Sequence, residues 1–151
     1  MAARLSSPLP LTYSEARGLK GANIVRAGVR LAVIDSYNHI LFVNHPKKGW
    51  ELPGGALDPR EHPMQAAFRE LEEEAGLLLK KRPLETAGFL PAEILDGSHW
   101  VDIVFAIRVR EQEKVFADSA KFPIVWLSAA SITKLPLRDD TQRLLQRLLA
   151  S

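Results

Sequence analysis

Residues 55–77 carry Gly55, five residues, Glu61, seven residues, and then Arg69-Glu70-Leu71-Glu72-Glu73-Glu74-Ala75-Gly76-Leu77. At the helical step of about 100° per residue, Met64, Ala67, Phe68, Ala75 and Leu78 fall within roughly 60° of Leu71, a single apolar stripe of the kind that packs on a core. Pro63 suits a first helical position, where its missing N–H costs little, and Gly76 suits the left-handed position that ends a helix. The spacing therefore predicts a helix over residues 63–75. His62 is its N-cap, not a preferred residue there, and Glu61 lies just outside in the loop.

Glu74, Glu70 and Glu73 follow around the face adjoining the stripe, at roughly 60°, 100° and 160° from Leu71. Three carboxylates thus flank the buried seam. Arg69 precedes Glu73 by one turn and can hold it in an i,i+4 pair, while the small Ala66 leaves space among the acids. Upstream, Trp50-Glu51-Leu52-Pro53-Gly54-Gly55 reads as a short extended segment entering a tight turn that can offer a bare carbonyl to a cation. Carboxylates and a carbonyl are hard oxygen ligands suited to Mg2+ or Mn2+ and not to zinc, and the natural partner of such a site is a phosphate. A Glu-rich run alone is usually a solvated face, and Gly-Gly alone usually only a turn. Their joint spacing carries the reading.

At every specified position, namely Gly55, Glu61, Arg69, Glu70, Leu71, Glu73, Glu74, Gly76 and Leu77, the stretch resembles the Nudix box, the signature of the Nudix hydrolases. The resemblance implies that Glu70, Glu73 and Glu74 bind divalent cations with help from the carbonyl of Gly54. It also implies that Arg69 and Glu61 orient these carboxylates, that Gly55 and Glu61 support the loop, and that the reaction is hydrolysis of a diphosphate linkage. The fold expected is α/β, a Nudix-type α/β/α sandwich with a mixed β-sheet.

The 151 residues, 46% hydrophobic and 25% charged, suit one domain with a sizeable core, expected over residues 21–151. Residues 1–20 read as a flexible tail, with an arm packing on another subunit as the alternative, so that a homodimer is compatible with the chain. No apolar run has the length of a membrane span, and no secretory apolar stretch opens the sequence. With no cysteine, disulfides, thiol catalysis and cysteine-bound metal are excluded, and a cytoplasmic setting is the simplest expectation. The same absence disfavours the isopentenyl diphosphate isomerase branch of the fold, which relies on a cysteine. A net charge of +2 without long basic runs gives no footprint for nucleic acid. The expected partner is a small nucleotide or nucleoside diphosphate derivative.

Val29, Leu31 and Val33, then residues 40–43, read as two strands joined by Asp35-Ser36-Tyr37-Asn38. Residues 85–95 read as a strand. Val101, Ile103, Phe105, Ile107 and Val109 alternate with Asp102, Val104, Ala106, Arg108 and Arg110 as another, and residues 122–127 as a third. Asp139 and Asp140 are expected to cap a last helix that buries Leu144, Leu145, Leu148 and Leu149.

In the expected mechanism water attacks a phosphorus, with cations lowering the water's pKa and neutralising developing charge. Glu73 or Glu70 takes the proton, and Arg69 completes the catalytic group. Many relatives recruit a Glu from a later loop; this chain reads Lys121-Phe122-Pro123-Ile124-Val125-Trp126 where it often stands, leaving Glu111, Glu113 and Asp118 as substitutes. Arg30, His45, Lys47, Lys48 and Trp50 are candidates for substrate contacts, each also an ordinary surface or packing residue. Trp100 reads as packing before stacking. Pro91 lies fourteen residues past Leu77, where ADP-ribose hydrolases of the family usually show a proline. The Pro-Gln-Gly-Gly turn of RNA-decapping members is replaced here by Leu52-Pro53-Gly54-Gly55. The function expected is Mg2+-dependent hydrolysis of a nucleoside diphosphate linked to another group, ADP-ribose being one candidate. The alternatives are a nucleoside triphosphate pyrophosphohydrolase and a non-catalytic nucleotide sensor.

Overall fold

The structure, a computed structural model, describes residues 25–93 and 99–151. The expected tail at residues 1–20 lies outside the described residues, as does the end of the strand expected at 85–95.

Two strands open the described chain, β1 (Val25–Ile34) and β2 (Ile40–His45). Their turn is closed by the Asp35 carboxylate, which accepts from the N–H groups of Tyr37 at 3.0 Å and His39 at 2.9 Å. Asn38 takes the left-handed conformation there (φ 61°), one its short amide tolerates. The short strands β3 (Gly49–Glu51) and β4 (Gly54–Ala56) lead into α1 (Pro63–Glu70). Then come β5 (Glu85–Glu93), β6 (His99–Arg108), β7 (Ile124–Leu127), the short α2 (Ala129–Ile132) and α3 (Asp139–Ala150).

The seven strands form one mixed sheet ordered β3-β2-β1-β6-β5, with β4 paired to β1 and β7 to β2. Among the described residues only β1 and β6 run parallel, in register from Val25 opposite His99 to Ile34 opposite Arg108. Alternation along β6 suggests one wet face, but both are covered. Phe105 and Ile107 join Val29, Leu31, Val33 and the α1 residues Ala66, Ala67 and Phe68 in one core. Val104 and Ala106 join Ile34, Phe42, Leu144, Leu145 and Leu149 in the other. Helices therefore cover both faces of the sheet, as in the expected α/β/α sandwich.

Three expectations need correction. β7 starts at Ile124, because Phe122 is spent on the core and its N–H donates to the Glu74 carbonyl at 3.0 Å. In α3 the N-cap is Arg138, and Asp139 and Asp140 lie in the first turn, where their charge meets the positive end of the helix dipole. Leu148 is only partly buried on that helix.

A charged staple ties the front of the sheet to its far connection. Lys114 Nζ donates to buried Asp35 at 2.8 Å, reaches Glu111 at 2.8 Å, and lies 4.0 Å from the centre of the Trp126 ring. The Asp35 carboxyl is held below the usual range: burial works against this, but the bond from Lys114 and the turn N–H groups outweigh it. No helix among the described residues is long and apolar enough to cross a membrane.

Candidate active site

The helix behind the box starts as expected, with Pro63 in its first turn and His62 at the N-cap. His62 manages the unusual role through its ring: Nδ1 accepts from Met64 N–H at 3.1 Å, while Gln65 Oε1 accepts from His62 N–H at 3.1 Å. The last turn departs from expectation. Residues Leu71–Ala75 form a π turn, closed by Gly76 at φ 72°. A wider turn alters the angular order of the acids. Glu74 is buried at 8% exposure, while the side chain of Glu73 is 56% exposed.

The carbonyls of that turn are taken by the segment that follows the 3₁₀ turn Glu111–Glu113. Lys121 N–H donates to Glu73 O at 3.1 Å, Phe122 N–H to Glu74 O at 3.0 Å, and Ala117 N–H to Gly76 O at 2.7 Å. The end of the helix and the later loop are therefore joined through backbone.

Arg69 is the hub of the acids. Its guanidinium donates to both oxygens of Glu61 at 2.7 and 2.9 Å, to Glu70 at 2.9 Å, to the Ala56 carbonyl at 3.2 Å and to Glu73 at 3.3 Å. The expected Arg69–Glu73 pair exists and is the longest of these. Bonds from Arg69 and from the Asp58 N–H hold the Glu61 carboxyl down at about 2. Glu61 thus stays an anion that fixes Arg69, and Arg69 in turn fixes Glu70.

Paired glycines let the helix approach β4. A Cβ on Gly54 would stand 2.0 Å from the Val29 carbonyl and 2.7 Å from Arg30 Cδ; one on Gly55 would stand 2.6 Å from Glu70 Oε1. The Gly54 N–H donates to Glu74 Oε1 at 2.8 Å. This N–H is a contact of Gly54 with the site additional to the carbonyl expected to help hold a cation. Burial pushes the Glu74 carboxyl up to about 7 against that bond, with the charge of Glu70 adding to the rise. Glu70 is also raised, again by burial first, with Glu73 contributing and Arg69 opposing.

As placed, no three acidic or histidine side chains among the described residues converge on a point that a metal ion could fill. The carboxylates are drawn apart instead, Glu70 and Glu73 to Arg69 and Glu74 to Gly54. The donor chemistry nevertheless fits a hard divalent cation. Two neighbouring desolvated carboxylates, each destabilised by nearby negative charge, are what such an ion relieves.

A cleft of about 680 Å3 opens on the α3 face, with Arg30, Trp50, Glu51, Leu52, Pro91 and Asp102 on its walls. Arg30 is a largely buried part of that wall, its side chain 17% exposed. Its guanidinium donates to the Leu52 carbonyl at 2.9 Å and pairs with Glu51 and Asp102, each at 3.4 Å. Burial works to lower its pKa, but these acids outweigh burial and raise it. Arg30 abuts Gly54, and its charge is felt by both Glu70 and Glu74. A second cleft runs past Glu61, Arg69, Glu73 and Ser119, so Glu73 lines a different cleft from Arg30.

Of the residues expected to touch substrate, Arg30, Trp50 and Lys48 share the first cleft. His45 and Lys47 do not line it. His45 Nδ1 accepts from the N–H groups of Lys47 at 3.1 Å and Lys48 at 3.3 Å, closing the turn, and its ring packs 5.1 Å from Phe122 on the α1 side. Lys47 is exposed on that turn. Glu111 and Glu113, considered as bases, are engaged elsewhere: Glu111 with Lys114, and Glu113 with Arg82 at 2.9 Å and Arg110 at 3.1 Å. Asp118 is exposed in the loop that follows. Trp100 lies next to Gly28, with the Arg26 guanidinium 5.8 Å from its ring centre. Sequence reading missed Asp102 and Arg138 as cleft residues. For Asp102 a signal was present, an acid within the apolar alternation of β6.

Comparison with known proteins agrees with this architecture. The family model of the NUDIX domain matches residues 25–148. The putative 8-oxo-dGTP diphosphatase 3 of Mycobacterium tuberculosis (strain ATCC 25618 / H37Rv) is 30% identical over 112 residues, covering 73% of this chain and 51% of that protein. An RNA pyrophosphohydrolase of Mesorhizobium japonicum is 36% identical over 100 residues, covering 66% and 54%. The chain thus spans about half the length of the curated relatives it matches. Among solved structures, a MutT NUDIX hydrolase from Burkholderia pseudomallei superposes with a TM-score of 0.65 at 25% identity, covering 83% of this chain and 98% of that one. With the box complete, the sandwich in place and the family model spanning residues 25–148, this chain belongs to the NUDIX family.

Proposed function

We propose that the protein hydrolyses a diphosphate linkage in a nucleoside diphosphate derivative, using Mg2+ or Mn2+ held by Glu70, Glu73 and Glu74 with the Gly54 carbonyl. The observation that carries this reading is the placement of Glu70 and Glu74, desolvated against Gly55 and Gly54, within the field of Arg30, which lines a cleft together with Trp50. When bound, the cation supplies neutralisation of the diphosphate oxygens and a more acidic water. The chain's own residues do the rest. Arg69, fixed by Glu61, aims Glu70, and the Gly54 N–H aims Glu74. Glu73, the most exposed of the three, is free to exchange its 3.3 Å contact with Arg69 for a role in the reaction. Proton transfer from the attacking water falls to Glu73 or Glu70, since Glu111 and Glu113 are engaged in ion pairs of their own.

Pro91, which raised ADP-ribose as a candidate, lines the cleft together with Trp50, in keeping with a diphosphate that carries a nucleoside on one side and a second group on the other. A triphosphate pyrophosphohydrolase is the second reading, favoured by the similarity to the putative 8-oxo-dGTP diphosphatase of M. tuberculosis. The test incubates the protein with a panel of nucleoside triphosphates and nucleoside diphosphate derivatives and Mg2+ in 18O-labelled water, followed by product identification. Expected is one label incorporated at a single phosphorus, with no turnover in chelator and recovery on adding Mg2+ or Mn2+. Full turnover after exhaustive chelation would remove the metal reading, and tight binding without product would make the chain a sensor.

A further inference from the structure

We propose that Asp102 is a positioning residue for the box: through Arg30 it fixes the Leu52–Gly54 turn, and with it the N–H that aims Glu74. The placement of the turn is a property of the chain alone. Only its consequence for a cation rests on the proposed function.

The turn has little of its own to hold it. Leu52 and Pro53 lie between β3 and β4, outside both strands, and Pro53 has no N–H to give. These two residues and Gly54 are buried, so the backbone there needs partners within the protein. β1 supplies two of them: Leu31 N–H donates to the Pro53 carbonyl at 3.0 Å, and Arg30 Nη1 donates to the Leu52 carbonyl at 2.9 Å. The first donor is backbone, set by the strand itself. The second hangs on a long side chain whose rotamer freedom has to be removed by something else. Gly54 stands opposite Arg30 in the pairing of β1 with β4, and a Cβ there would lie 2.7 Å from Arg30 Cδ. Wherever the Arg30 side chain settles, the turn must follow.

Three groups meet the guanidinium. Glu51, 3.4 Å from Nη1, is the chain neighbour of Leu52, so both of these move with the turn and neither can anchor it. Asp102 comes from β6, the parallel neighbour of β1, and its Oδ2 accepts from Arg30 Nε at 3.4 Å. That contact ties the guanidinium to the middle of the sheet. The Asp102 side chain is 13% exposed, and Gly28, opposite it on β1, leaves the room it occupies, since a Cβ there would stand 2.5 Å from Oδ1. A carboxylate so desolvated is costly without a paired cation, and Arg30 is that cation. The relay runs from Asp102 to Arg30 Nε, from Arg30 Nη1 to the Leu52 carbonyl and, two residues on, from Gly54 N–H to Glu74 Oε1 at 2.8 Å.

Amide hydrogen exchange followed by NMR, with neither metal nor nucleotide present, tests the relay. In Asp102→Asn, which keeps the shape and loses the charge, the Gly54 N–H is expected to exchange about tenfold or more faster, the scale of a charged hydrogen bond. The Val109 N–H, bonded to the Ile34 carbonyl at 2.8 Å and outside the relay, is expected to stay within about twofold. Arg30→Lys, whose single ammonium cannot serve Asp102 and the Leu52 carbonyl together, is expected to give the same pattern. A general loss of stability would speed both amides alike and overturn the inference, as would a Gly54 rate unchanged in both variants. In the unmodified protein, an Arg30 Nε–H that exchanges as fast as that of a free arginine side chain would overturn it without any variant having to fold. Mn2+ binding, read from the electron paramagnetic resonance of the free ion, separates the relay from the proposed function. Local loosening at Gly54 with about tenfold weaker Mn2+ binding supports both. Loosening with unchanged Mn2+ binding sustains the relay and removes Glu74 from the ligand set.

Discussion

The Gly54 N–H and the Glu74 carboxylate are joined by a 2.8 Å hydrogen bond across twenty residues of chain, and that bond holds a buried acid against the turn. The neighbouring glycine does the same for Glu70 by absence, since its missing side chain is the space Glu70 Oε1 occupies.

These glycines should fail differently. Alanine at 54 meets the Val29 carbonyl at 2.0 Å, a backbone atom that cannot yield without shifting β1 against β4. Gly54→Ala is expected to cost about 2 kcal/mol or more, a Tm drop of roughly 4–8 °C. Alanine at 55 meets only the end of the Glu70 side chain. Gly55→Ala should melt within about 3 °C of the parent yet lose about tenfold or more in kcat, because Glu70 is displaced. Thermal melts beside kinetics check both, and equal melting losses would deny the distinction.

The Glu61–Arg69 pair predicts a pH signature. The Glu61 carboxyl is lowered from 4.5 to about 2 in the folded chain. A lowered folded pKa gives stability that is present above the unfolded value and is lost as pH falls through the folded one. Glu61→Gln should therefore melt below the parent at pH 6, with the gap closing between about pH 4.5 and pH 2. A gap that stays constant across that window would show that the bond to Arg69 acts through shape alone.

Much of this site can be read in the sequence because the box is local. Pro63 and Gly76 mark the helix ends, and the acids follow from its period. The π turn cannot be read that way. Glu74 turns inward because a donor on Gly54, in another element, waits for it, and periodicity carries no information about partners twenty residues away. Strand pairing is hidden for the same reason: alternation in β6 announces a strand but not its parallel neighbour β1, nor that α3 will cover the second face. His45 lies away from the cleft because of strand parity. It shares its side of β2 with Leu41 and Val43 on the α1 core, whereas Trp50 pairs with Asn44 and so faces the other way.

The staple at the β1–β2 turn is expected to be structural. Asp35→Asn keeps an acceptor for the turn N–H groups but leaves Lys114 with Glu111 alone. Removing one partner of a buried pair is costly; with Glu111 remaining, the loss should be about 2–3 kcal/mol, a Tm drop of roughly 4–12 °C. In thermal and kinetic assays kcat should stay within about twofold of the parent once the variant is folded. A kcat collapse with unchanged melting would instead place the staple in the reaction.

The last prediction locates the general base. Glu111 is tied to Lys114 and Glu113 to Arg82 and Arg110, while the loop through Lys121 and Phe122 is bolted by backbone to the carbonyls of Glu73 and Glu74. A base from that loop would have to break these bonds first, which argues for the helix. Glu73→Gln and Glu74→Gln are each expected to lower kcat by roughly a hundredfold or more, the scale of losing a base or a metal ligand. Glu111→Gln, Glu113→Gln and Asp118→Asn should each cost less than about tenfold. Metal titration divides the helix pair further, because a lost ligand raises the Mg2+ concentration needed and a lost base leaves it unchanged. Circular dichroism on every variant guards against loss of fold, most of all for Glu74, whose carboxylate is buried against Gly54. Collapse of kcat in Asp118→Asn with metal affinity intact would move the base to the loop, since Asp118 is exposed next to Ala117, whose N–H is bonded to Gly76.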